Sequence, residues 1–460
     1  MSEQGLAQAR DRMKQAGVDP TAIEVFSHYY RLVESGETGM VPESSIEPLE
    51  MAALADAEVP DELAREAIAR TAVIKLNGGL GTSMGMDRAK SLLEVRSGLS
   101  FLDVIAQQVL ALRREYDVRL PLLFMNSFRT SSDTRAALER YPDLPVEGLP
   151  LEFLQNKEPK LRADTLEPVS WPADPGLEWC PPGHGDLYTA LRGSGLLDQL
   201  EDAGFTQVFV SNSDNLGAVP TARMAGWFAG TGAPFAIEAV RRTPSDRKGG
   251  HFATRREDGR IVLRETAQTL PEDKEALADL DRHRYTSTNN LWFDIAAVRA
   301  ELDRRNGILG LPLIKNTKTV DPADPDSPEV IQIETAMGAA IEVFEGATTI
   351  EVGRDRFVPV KTTDDLLVLR SDCYELGADA LLHQVPDRVP FVELDKAHYK
   401  LVDQFDRRFP DGPPSLRRAR SLVVHGDWMF GGGVSLVGDV QLEDQGTPQR
   451  IAPGTTVAGD

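Results

Sequence analysis

Hydrophobic and polar positions follow different periods in different parts of the chain, and each period predicts a different kind of structure. Over the first 70 residues apolar side chains recur at helical spacing. This spacing predicts helices over Leu6–Ala16, Ile23–Glu34 and Asp61–Ala69. No motif typical of catalysis interrupts this segment. We therefore expect residues 1–70 to form a helical segment packed on the main domain.

Short apolar runs alternate with helical patterns from about residue 71 to residue 369. For example, a helical pattern over Phe101–Arg114 is followed by the apolar run Leu120–Asn126. Such alternation predicts an α/β domain with a mainly parallel sheet flanked by helices. Ligands of these sheets bind beyond the carboxyl ends of strands. Polar residues that directly follow an apolar run are therefore the first candidates for a binding site.

Three polar clusters meet this condition. They begin at Asn126, Gln155 and Ser211, after the runs Leu122–Met125, Leu151–Leu154 and Gln207–Val210. Any one of them could be an ordinary polar loop or a helix cap. Three in succession, downstream of the loop described next, indicate one edge of a sheet that carries polar chemistry.

A glycine-rich loop follows the first predicted strand, in the stretch Thr71-Ala-Val-Ile-Lys-Leu-Asn-Gly-Gly-Leu-Gly-Thr-Ser-Met-Gly85. Glycine leaves the main chain bare, so backbone N–H groups can converge on phosphate oxygens. The spacing is one residue longer than the dinucleotide fingerprint, and no Gly-Lys-Ser/Thr follows as in a Walker loop. The loop is a candidate phosphate cradle, although a tight turn after a strand would give the same pattern.

Two later segments also receive structural predictions. Ile331–Ile341 combines apolar and small residues and predicts the start of a helix. Phe357–Val360 predicts a strand that ends at Lys361, followed by a Thr-Thr-Asp helix cap. A lysine at such a strand end could meet a phosphate group.

The pattern changes after about residue 385. A connector leads to Leu422-Val-Val-His-Gly-Asp-Trp-Met-Phe-Gly-Gly-Gly-Val-Ser-Leu-Val-Gly-Asp-Val-Gln-Leu, in which short apolar groups recur between Gly-Asp pairs. This recurrence predicts stacked coils of a β-helix. We expect residues 386–460 to form a connector and a small β-helix domain that serves as a cap or as an oligomer contact.

Composition narrows the functional classes. The 50 basic and 72 acidic residues give a net charge of −22, which disfavours a nucleic-acid or anionic-membrane partner. Cys180 and Cys373 lie far apart, so neither a disulfide framework nor a structural zinc site is indicated. We expect a cytoplasmic protein, because the sequence shows neither a membrane-spanning run nor a signal peptide.

The motifs together resemble one family. Leu76-Asn-Gly-Gly-Leu-Gly-Thr-Ser-Met-Gly85, Lys90-Ser91, Met125–Phe128, Gln155–Lys157, Pro181-Pro-Gly-His-Gly-Asp186, Ser211–Gly217, Arg247–His251, Glu265–Gln268, Ser287–Trp292 and Phe357–Leu366 are similar to motifs of the eukaryotic-type UTP:glucose-1-phosphate uridylyltransferases. One departure is local, since Arg88-Ala89 stand where the family usually has Gly-Pro. The resemblance implies a Rossmann-like (GT-A-like) nucleotidyltransferase domain over residues 71–385 and a left-handed β-helix at the C-terminus.

The resemblance also implies an activity. The expected reaction joins UTP and glucose 1-phosphate into UDP-glucose and pyrophosphate by direct attack on the α-phosphorus, with Mg2+ as cofactor. Two alternatives stay open: a UDP-N-acetylhexosamine or broad-specificity UDP-sugar pyrophosphorylase, and a non-catalytic UDP-sugar-binding protein. The expected partners are these small molecules, without nucleic acid or membrane, and a homo-oligomer could form through the C-terminal domain.

Carried over motif by motif, the resemblance implies three groups of site residues. The catalytic group is Lys90, Lys361 and Asp214, with Asp214 as the metal ligand. The nucleotide-binding group is Leu76, Asn77, Gly78, Gly79, Gly81, Thr82, Met125, Gln155, Gly183, Gly185 and Asn212. The group for the sugar and its phosphate is His184, Asn212, Gly250, Glu265 and Asn290.

Overall fold

A computed structural model describes residues 2–247 and 249–459. Lys248, within the motif Arg247–His251, and the terminal residues Met1 and Asp460 lie outside the described residues. The α-helices in the described part are α1 (Ser2–Gln15), α2 (Pro20–Glu34), α3 (Asp61–Ala69), α4 (Phe101–Tyr116), α5 (Ser131–Leu138), α6 (Leu187–Gly193), α7 (Leu196–Asp202), α8 (Ala222–Thr231), α9 (Lys274–Ala278), α10 (Ile295–Arg304), α11 (Thr363–Arg370), α12 (Lys396–Tyr399) and α13 (Val402–Arg408). None of these helices is both long and apolar enough to cross a bilayer.

The strands alternate with these helices through most of the chain. They are β1 (Ile46–Pro48), β2 (Thr71–Asn77), β3 (Glu94–Arg96), β4 (Leu99–Ser100), β5 (Leu122–Asn126), β6 (Glu152–Leu154), β7 (Glu158–Pro159), β8 (Leu161–Arg162), β9 (Trp179–Cys180), β10 (Gln207–Asn212), β11 (Phe235–Arg241), β12 (His251–Arg255), β13 (Ile261–Arg264), β14 (Tyr285–Asp294), β15 (Leu313–Thr319), β16 (Glu329–Thr335), β17 (Thr348–Glu351), β18 (Tyr374–Leu376), β19 (Leu382–Gln384), β20 (Phe391–Glu393), β21 (Ser415–Val424), β22 (Trp428–Phe430), β23 (Ser435–Leu442), β24 (Gln449–Ile451) and β25 (Thr456–Ala458).

A seven-stranded sheet in the order β17-β11-β14-β10-β2-β5-β6 forms the centre of the molecule. Strand β14 runs antiparallel to both of its neighbours, and the other neighbouring strands are parallel. Neighbouring residues of β2 face opposite sides of the sheet, since Val73 belongs to one hydrophobic core and Ile74 to the other. Burial on both faces explains why β2 is a continuous apolar run. The predicted mixed, mainly parallel α/β fold is confirmed.

The predicted N-terminal helices are present. Asp19 caps α2 by accepting from the N–H of Thr21 (2.8 Å), and Pro20 occupies the first helical position. The apolar face of α2, with Phe26 and Tyr30, shares a hydrophobic cluster with Ile331 of β16. Helices α1 and α2 therefore pack against the small sheet β15-β16-β8, whereas α3 shares a hydrophobic core with Val73 of the central sheet.

The prediction of a helix beginning at Ile331 was wrong. Strand β16 runs through Thr335 and pairs antiparallel with β15, and the chain then forms a 3₁₀ turn over Met337–Glu342. The β-branched Ile331 and Ile333 lie on one face of the strand, as a period of two requires. The small residues that suggested a helix belong only to the turn that follows.

The segment before Lys361 is extended but is not a regular strand. It makes one isolated bridge, between Asn215 and Pro359, and proline has no N–H with which to continue a ladder. The predicted cap is present, since Thr362 and Asp365 form a capping box at the start of α11.

Parallel strands also build the C-terminal region. They stack in the orders β20-β21-β23-β25 and β22-β24, and helices α12 and α13 lie in the connection between β20 and β21. Leu422 lies opposite Val440 in this stack, and both side chains are buried. The apolar groups between the Gly-Asp pairs thus form an interior shared by successive strands.

Candidate active site

The glycine loop begins where β2 ends and returns beside its own start. The main-chain oxygen of Gly79 accepts from the N–H of Lys90 (3.2 Å), and a bridge between Leu80 and Ala89 closes the loop. A Cβ atom on Gly78 would lie 2.6 Å from Gln155 Oε1, so no other residue fits there unless Gln155 moves. The loop therefore holds Lys90 at the carboxyl edge of the central sheet.

Lys90 forms an ion pair with Asp214, which follows β10. Lys90 Nζ lies 2.7 Å from Asp214 Oδ2, and the two side chains are only 18% and 23% exposed. The same ammonium group also donates to the main-chain oxygen of Val360. Three segments that are far apart in sequence thus meet at one amino group.

Lys361 follows immediately and lines the same cavity as Asp214. The N–H of Val360 donates to the main-chain oxygen of Asp214 (3.1 Å), which fixes the two segments side by side. The cavity has a volume of about 340 Å³. The predicted site residues that line it are Asn212, Asp214, Gly250, Glu265 and Lys361, and Asn289 lines it without having been predicted.

Glu265 and Gly250 form one wall of this cavity. Burial raises the pKa of the Glu265 carboxyl group, while the nearby positive charge of Lys361 acts in the opposite direction. A Cβ atom on Gly250 would lie 2.7 Å from Glu265 Oε2. The missing side chain leaves the carboxylate accessible from the cavity, where it can accept hydrogen bonds from hydroxyl groups.

Gln155 and the segment Gly183–Gly185 lie at the other side of the glycine loop. Gln155 Nε2 donates to the main-chain oxygen of Gly183 (2.8 Å), and Gly183 has a φ of 78°, which favours glycine. His184 Nδ1 accepts from the N–H of Met337 (3.0 Å), and burial lowers the pKa of this imidazole to about 4. His184 is therefore a neutral side chain whose Nε2 carries the proton.

Some predicted residues take other positions. Asn77 donates to Asn126 (2.8 Å) and Thr134 (2.9 Å) and accepts from Ser213, so its amide is used within the protein. Met125 is buried in the core. Only main-chain atoms of Asn77 remain available to a ligand.

The remaining predicted residues lie at the end of β2, in the glycine loop or beside a second cavity. Leu76 is half-buried at the end of β2, while Gly81 and Thr82 lie in the glycine loop with Thr82 exposed. Gly185 lines a separate cavity beneath α2, and a Cβ atom there would lie 2.3 Å from Thr335 Oγ1.

Asn290 is not brought to the cavity, and the neighbouring Asn289 is. The amide of Asn290 is fully buried and donates to Glu238 Oε2 (3.0 Å). Asn289 has a φ of 56° and lies where the register of β14 against β11 shifts, so the strand is irregular at this residue. The sequence did contain a signal that Asn290 is buried. Asn290 stands two positions before Trp292 and therefore lies on the same side of β14 as that buried ring, which also donates to Glu238.

A second cluster of ionisable groups does not fit a metal ion. Among the residues that the structure describes, the group with metal-ligand spacing is Glu43, His251 and His283. Glu43 already accepts from Arg264 (2.5 Å) and Arg282 (2.7 Å), and the two imidazole rings are stacked at 3.7 Å. An imidazole nitrogen binds an ion in its own ring plane, so stacked rings cannot share one. This cluster is better explained as a link between the N-terminal segment and β13.

The mainly parallel sheet, the glycine loop at its carboxyl edge and the paired lysine and aspartate beside a polar cavity define the chain as a nucleotide-binding α/β enzyme. A family model described as "UTP--glucose-1-phosphate uridylyltransferase" matches residues 23–437. The chain belongs to this family, which confirms the resemblance seen in its motifs.

Individual relatives agree. A probable UTP--glucose-1-phosphate uridylyltransferase of Schizosaccharomyces pombe is 39% identical over 383 residues, which are 82% of this chain and 74% of that protein. The enzyme of Hordeum vulgare is 39% identical over 375 residues, 80% of this chain and 76% of its own. A mutant UDP-glucose pyrophosphorylase from Leishmania major, solved in complex with UDP-glucose, has a TM-score of 0.93 and 40% identity, covering 99% of this chain and 98% of that one.

Proposed function

We propose that this protein transfers a uridylyl group from UTP to glucose 1-phosphate, which gives UDP-glucose and pyrophosphate. Family membership and the likeness to a structure determined with UDP-glucose support this activity. The observation that carries it within the chain is a cavity lined by both Asp214 and Lys361, with Lys90 paired to Asp214 at 2.7 Å.

The reaction is a direct displacement at phosphorus. A phosphate oxygen of glucose 1-phosphate forms a bond to the α-phosphorus of UTP, and the bond from that phosphorus to the β-bridging oxygen breaks. The electron pair leaves with pyrophosphate. Because the attacking oxygen is already ionised, the reaction needs no general base. In the reverse direction an oxygen of pyrophosphate attacks the same phosphorus. Catalysis then depends on in-line positioning and on neutralising phosphate charge.

The cationic side chains suit these two tasks. Lys90 would bind the UTP phosphates, and Lys361 would contact the phosphates of both substrates at the reacting centre. The ammonium group of Lys90 is already directed toward the proposed phosphate position, because it pairs with Asp214. On nucleotide binding the phosphates would take the place of the carboxylate as its partner.

Asp214 fits a magnesium ion. The carboxylate is partly exposed and lines the cavity, so a hydrated cation can reach it. One carboxylate suffices, because Mg2+ keeps several of its waters. When bound, the ion supplies charge neutralisation on the phosphate oxygens.

Recognition of the base and the sugar falls to neutral groups. Gln155 and main-chain groups near Leu76, Gly78 and Gly185 would read uracil, and the Nε2–H of His184 would face the α-phosphate. Glu265 would accept from sugar hydroxyls. For the amide contact to the sugar we now propose Asn289 in place of Asn290, because Asn289 lines the cavity and Asn290 is buried away from it.

A coupled assay for pyrophosphate with UTP, glucose 1-phosphate and Mg2+ tests the activity, with CTP, ATP and other hexose phosphates as competitors. Faster turnover of N-acetylhexosamine phosphates would favour the pyrophosphorylase alternative. Binding of UDP-glucose without metal-dependent turnover would favour the non-catalytic one.

The role of Lys361 has its own test. Loss of one charged contact to a reacting group costs on the order of 3 kcal/mol, so Lys361→Ala should lower kcat about a hundredfold while UTP affinity changes little. The exposed Lys274, at the start of α9, provides the control variant Lys274→Ala. Near-normal turnover of Lys361→Ala would contradict the assignment.

We also propose the division of the chain into a helical segment (1–70), a nucleotidyltransferase domain (71–385) and a C-terminal domain (386–460) that forms a left-handed β-helix. The stacked parallel strands β20 to β25 support the last of these. Limited proteolysis tests the boundary at residue 385, where cleavage is expected in the exposed connection between β19 and β20, whereas α3 runs into β2 with only Arg70 between them. Sedimentation of the full chain and of a chain ending at residue 385 tests a homo-oligomer formed through the C-terminal domain.

A further inference from the structure

The position of Lys361 depends on an irregular segment. Residues 355–361 contain no strand, and their single bridge joins Pro359 to Asn215. A lysine at the end of such a segment is held by individual bonds to the main chain around it. Two of them are the bond from the N–H of Val360 to the oxygen of Asp214 (3.1 Å) and the bond from the N–H of Lys361 to Asp365 Oδ2 (2.7 Å), and further bonds come from side chains that bind residues 355–360.

Asn215 makes two of the side-chain contacts to this main chain, more than Lys90, Asn290 or Asp365, which make one each. Its Oδ1 accepts from the N–H of Val358 (2.9 Å), and its Nδ2 donates to the main-chain oxygen of Arg356 (3.1 Å). Nδ2 also donates to Asn290 Oδ1 (3.4 Å), so both of its protons are engaged. The side chain is 1% exposed. Although Asn215 borders the cavity, its amide has no donor left for a substrate.

Two further contacts hold the same segment against the turn that carries Asp214. A Cβ atom on Gly217 would lie 2.2 Å from the main-chain oxygen of Asp355, so the two main chains are in direct contact there. On the other side, the guanidinium of Arg356 binds Glu238 with both ends (2.7 and 2.6 Å).

We infer that Asn215 is a positioning residue that holds Lys361 in place beside Asp214. This inference rests on the proposed role of Lys361 in catalysis. Asn215 lies next to Asp214 in the chain and binds the main chain three residues before Lys361, so together with the main-chain bond from Val360 to Asp214 it sets the separation between the carboxylate and the ammonium group. A displacement of about 1 Å at a reacting centre can cost on the order of a hundredfold in rate.

A double-mutant cycle on the full-length protein tests the inference. Asn215→Ala, Lys361→Ala and the double variant are compared with the unaltered chain for kcat and for UTP affinity. Asn215→Ala should lower kcat at least tenfold in the unaltered chain and less than about threefold in the Lys361→Ala background. UTP affinity should stay within about threefold throughout, because Lys90 and the glycine loop are unchanged.

Asn126 provides the matched control. It is a fully buried asparagine at the same edge of the sheet, and its amide binds Glu152 (2.6 Å) and Asn77 (2.8 Å) rather than the Lys361 segment. Asn126→Ala should lower kcat by the same factor in both backgrounds. An asparagine that is merely structural would behave in this way at position 215 too.

The outcomes separate the two proposals. If Lys361→Ala lowers kcat but Asn215→Ala lowers it further by an equal factor in both backgrounds, the inference is wrong and the role of Lys361 stands. If Lys361→Ala turns over normally, that role and the inference fall together. Should Asn215→Ala fail to bind UTP or to melt cooperatively, Arg356→Lys replaces it, because it loosens the same segment at its Glu238 contact.

Discussion

The buried pair of Glu238 and Arg356 gives the sharpest stability prediction. The carboxylate of Glu238 is fully buried and accepts from Arg356 Nε (2.7 Å) and Nη2 (2.6 Å), from Trp292 Nε1 (2.9 Å) and from Asn290 Nδ2 (3.0 Å). Glu238→Gln keeps the shape but leaves a buried guanidinium without its counter-charge. Breaking a buried pair on one side costs about 3–5 kcal/mol, which is a large part of a typical stability of about 5–15 kcal/mol.

The same strand carries a matched control. Arg241 of β11 binds Glu351 with the same two-point geometry (2.7 and 3.1 Å), but the Arg241 side chain is 59% exposed. Exposed pairs contribute only about 0.2–1 kcal/mol, so Glu351→Gln should be nearly neutral. In calorimetry at one scan rate, Glu238→Gln should lower the first unfolding transition by on the order of 10 °C, and Glu351→Gln by about 2 °C at most.

A third variant tests the cause of the loss. Glu238→Gln combined with Arg356→Met removes both charges, and we expect it to recover part of the lost stability, because replacing a whole buried pair is far less costly than breaking it. Equal shifts for Glu238→Gln and Glu351→Gln would refute the reasoning. So would a double variant that is less stable than Glu238→Gln alone.

Two further predictions concern the candidate active site. Because burial lowers the pKa of His184 to about 4, below its value in the unfolded chain, its stabilising contribution is present above about pH 6.5 and is lost as the pH falls toward 4. NMR titration should therefore show no ionisation of His184 between pH 5.5 and 8, and a normal titration would contradict its contact with Met337. Gly250→Ala should raise the KM for glucose 1-phosphate at least tenfold and leave that for UTP within about threefold, because the new Cβ atom meets Glu265 at 2.7 Å. Gly249→Ala, whose nearest contact would be 3.2 Å, should have the smaller effect, and equal effects would contradict this account.

Local patterns predicted the framework of the fold well. The buried run of β2, the glycine loop and the helical stripe of α4 each depend on residues close together in sequence, and all three lie where they were predicted. The strand at Ile331 was missed because its alternating pattern runs directly into a turn of small residues. The sequence predicted a strand before Lys361 because apolar residues alone do not show where the hydrogen bonds between strands must stop.

Pairings between distant residues could not be read in this way. Nothing near Glu238 indicates that its partner is Arg356, 118 residues further along the chain. Likewise, the motif around Asn289 and Asn290 predicts an amide near the sugar without indicating which of the two residues supplies it. Sequence patterns reveal which chemistry is present, whereas burial and strand parity decide which atoms are exposed to use it.

The ion pair between Lys90 and Asp214 bridges 124 positions of the chain, and the contact of Lys90 with Val360 bridges 270. During synthesis on a ribosome the glycine loop and Lys90 emerge early. Lys361, the second lysine of the proposed centre, is added much later in this chain of 460 residues. A nascent or prematurely terminated chain that lacks Lys361 therefore lacks the proposed reacting centre. With the proposed role of Lys361, uridylyl transfer begins only when the last contributing segment has closed against the first.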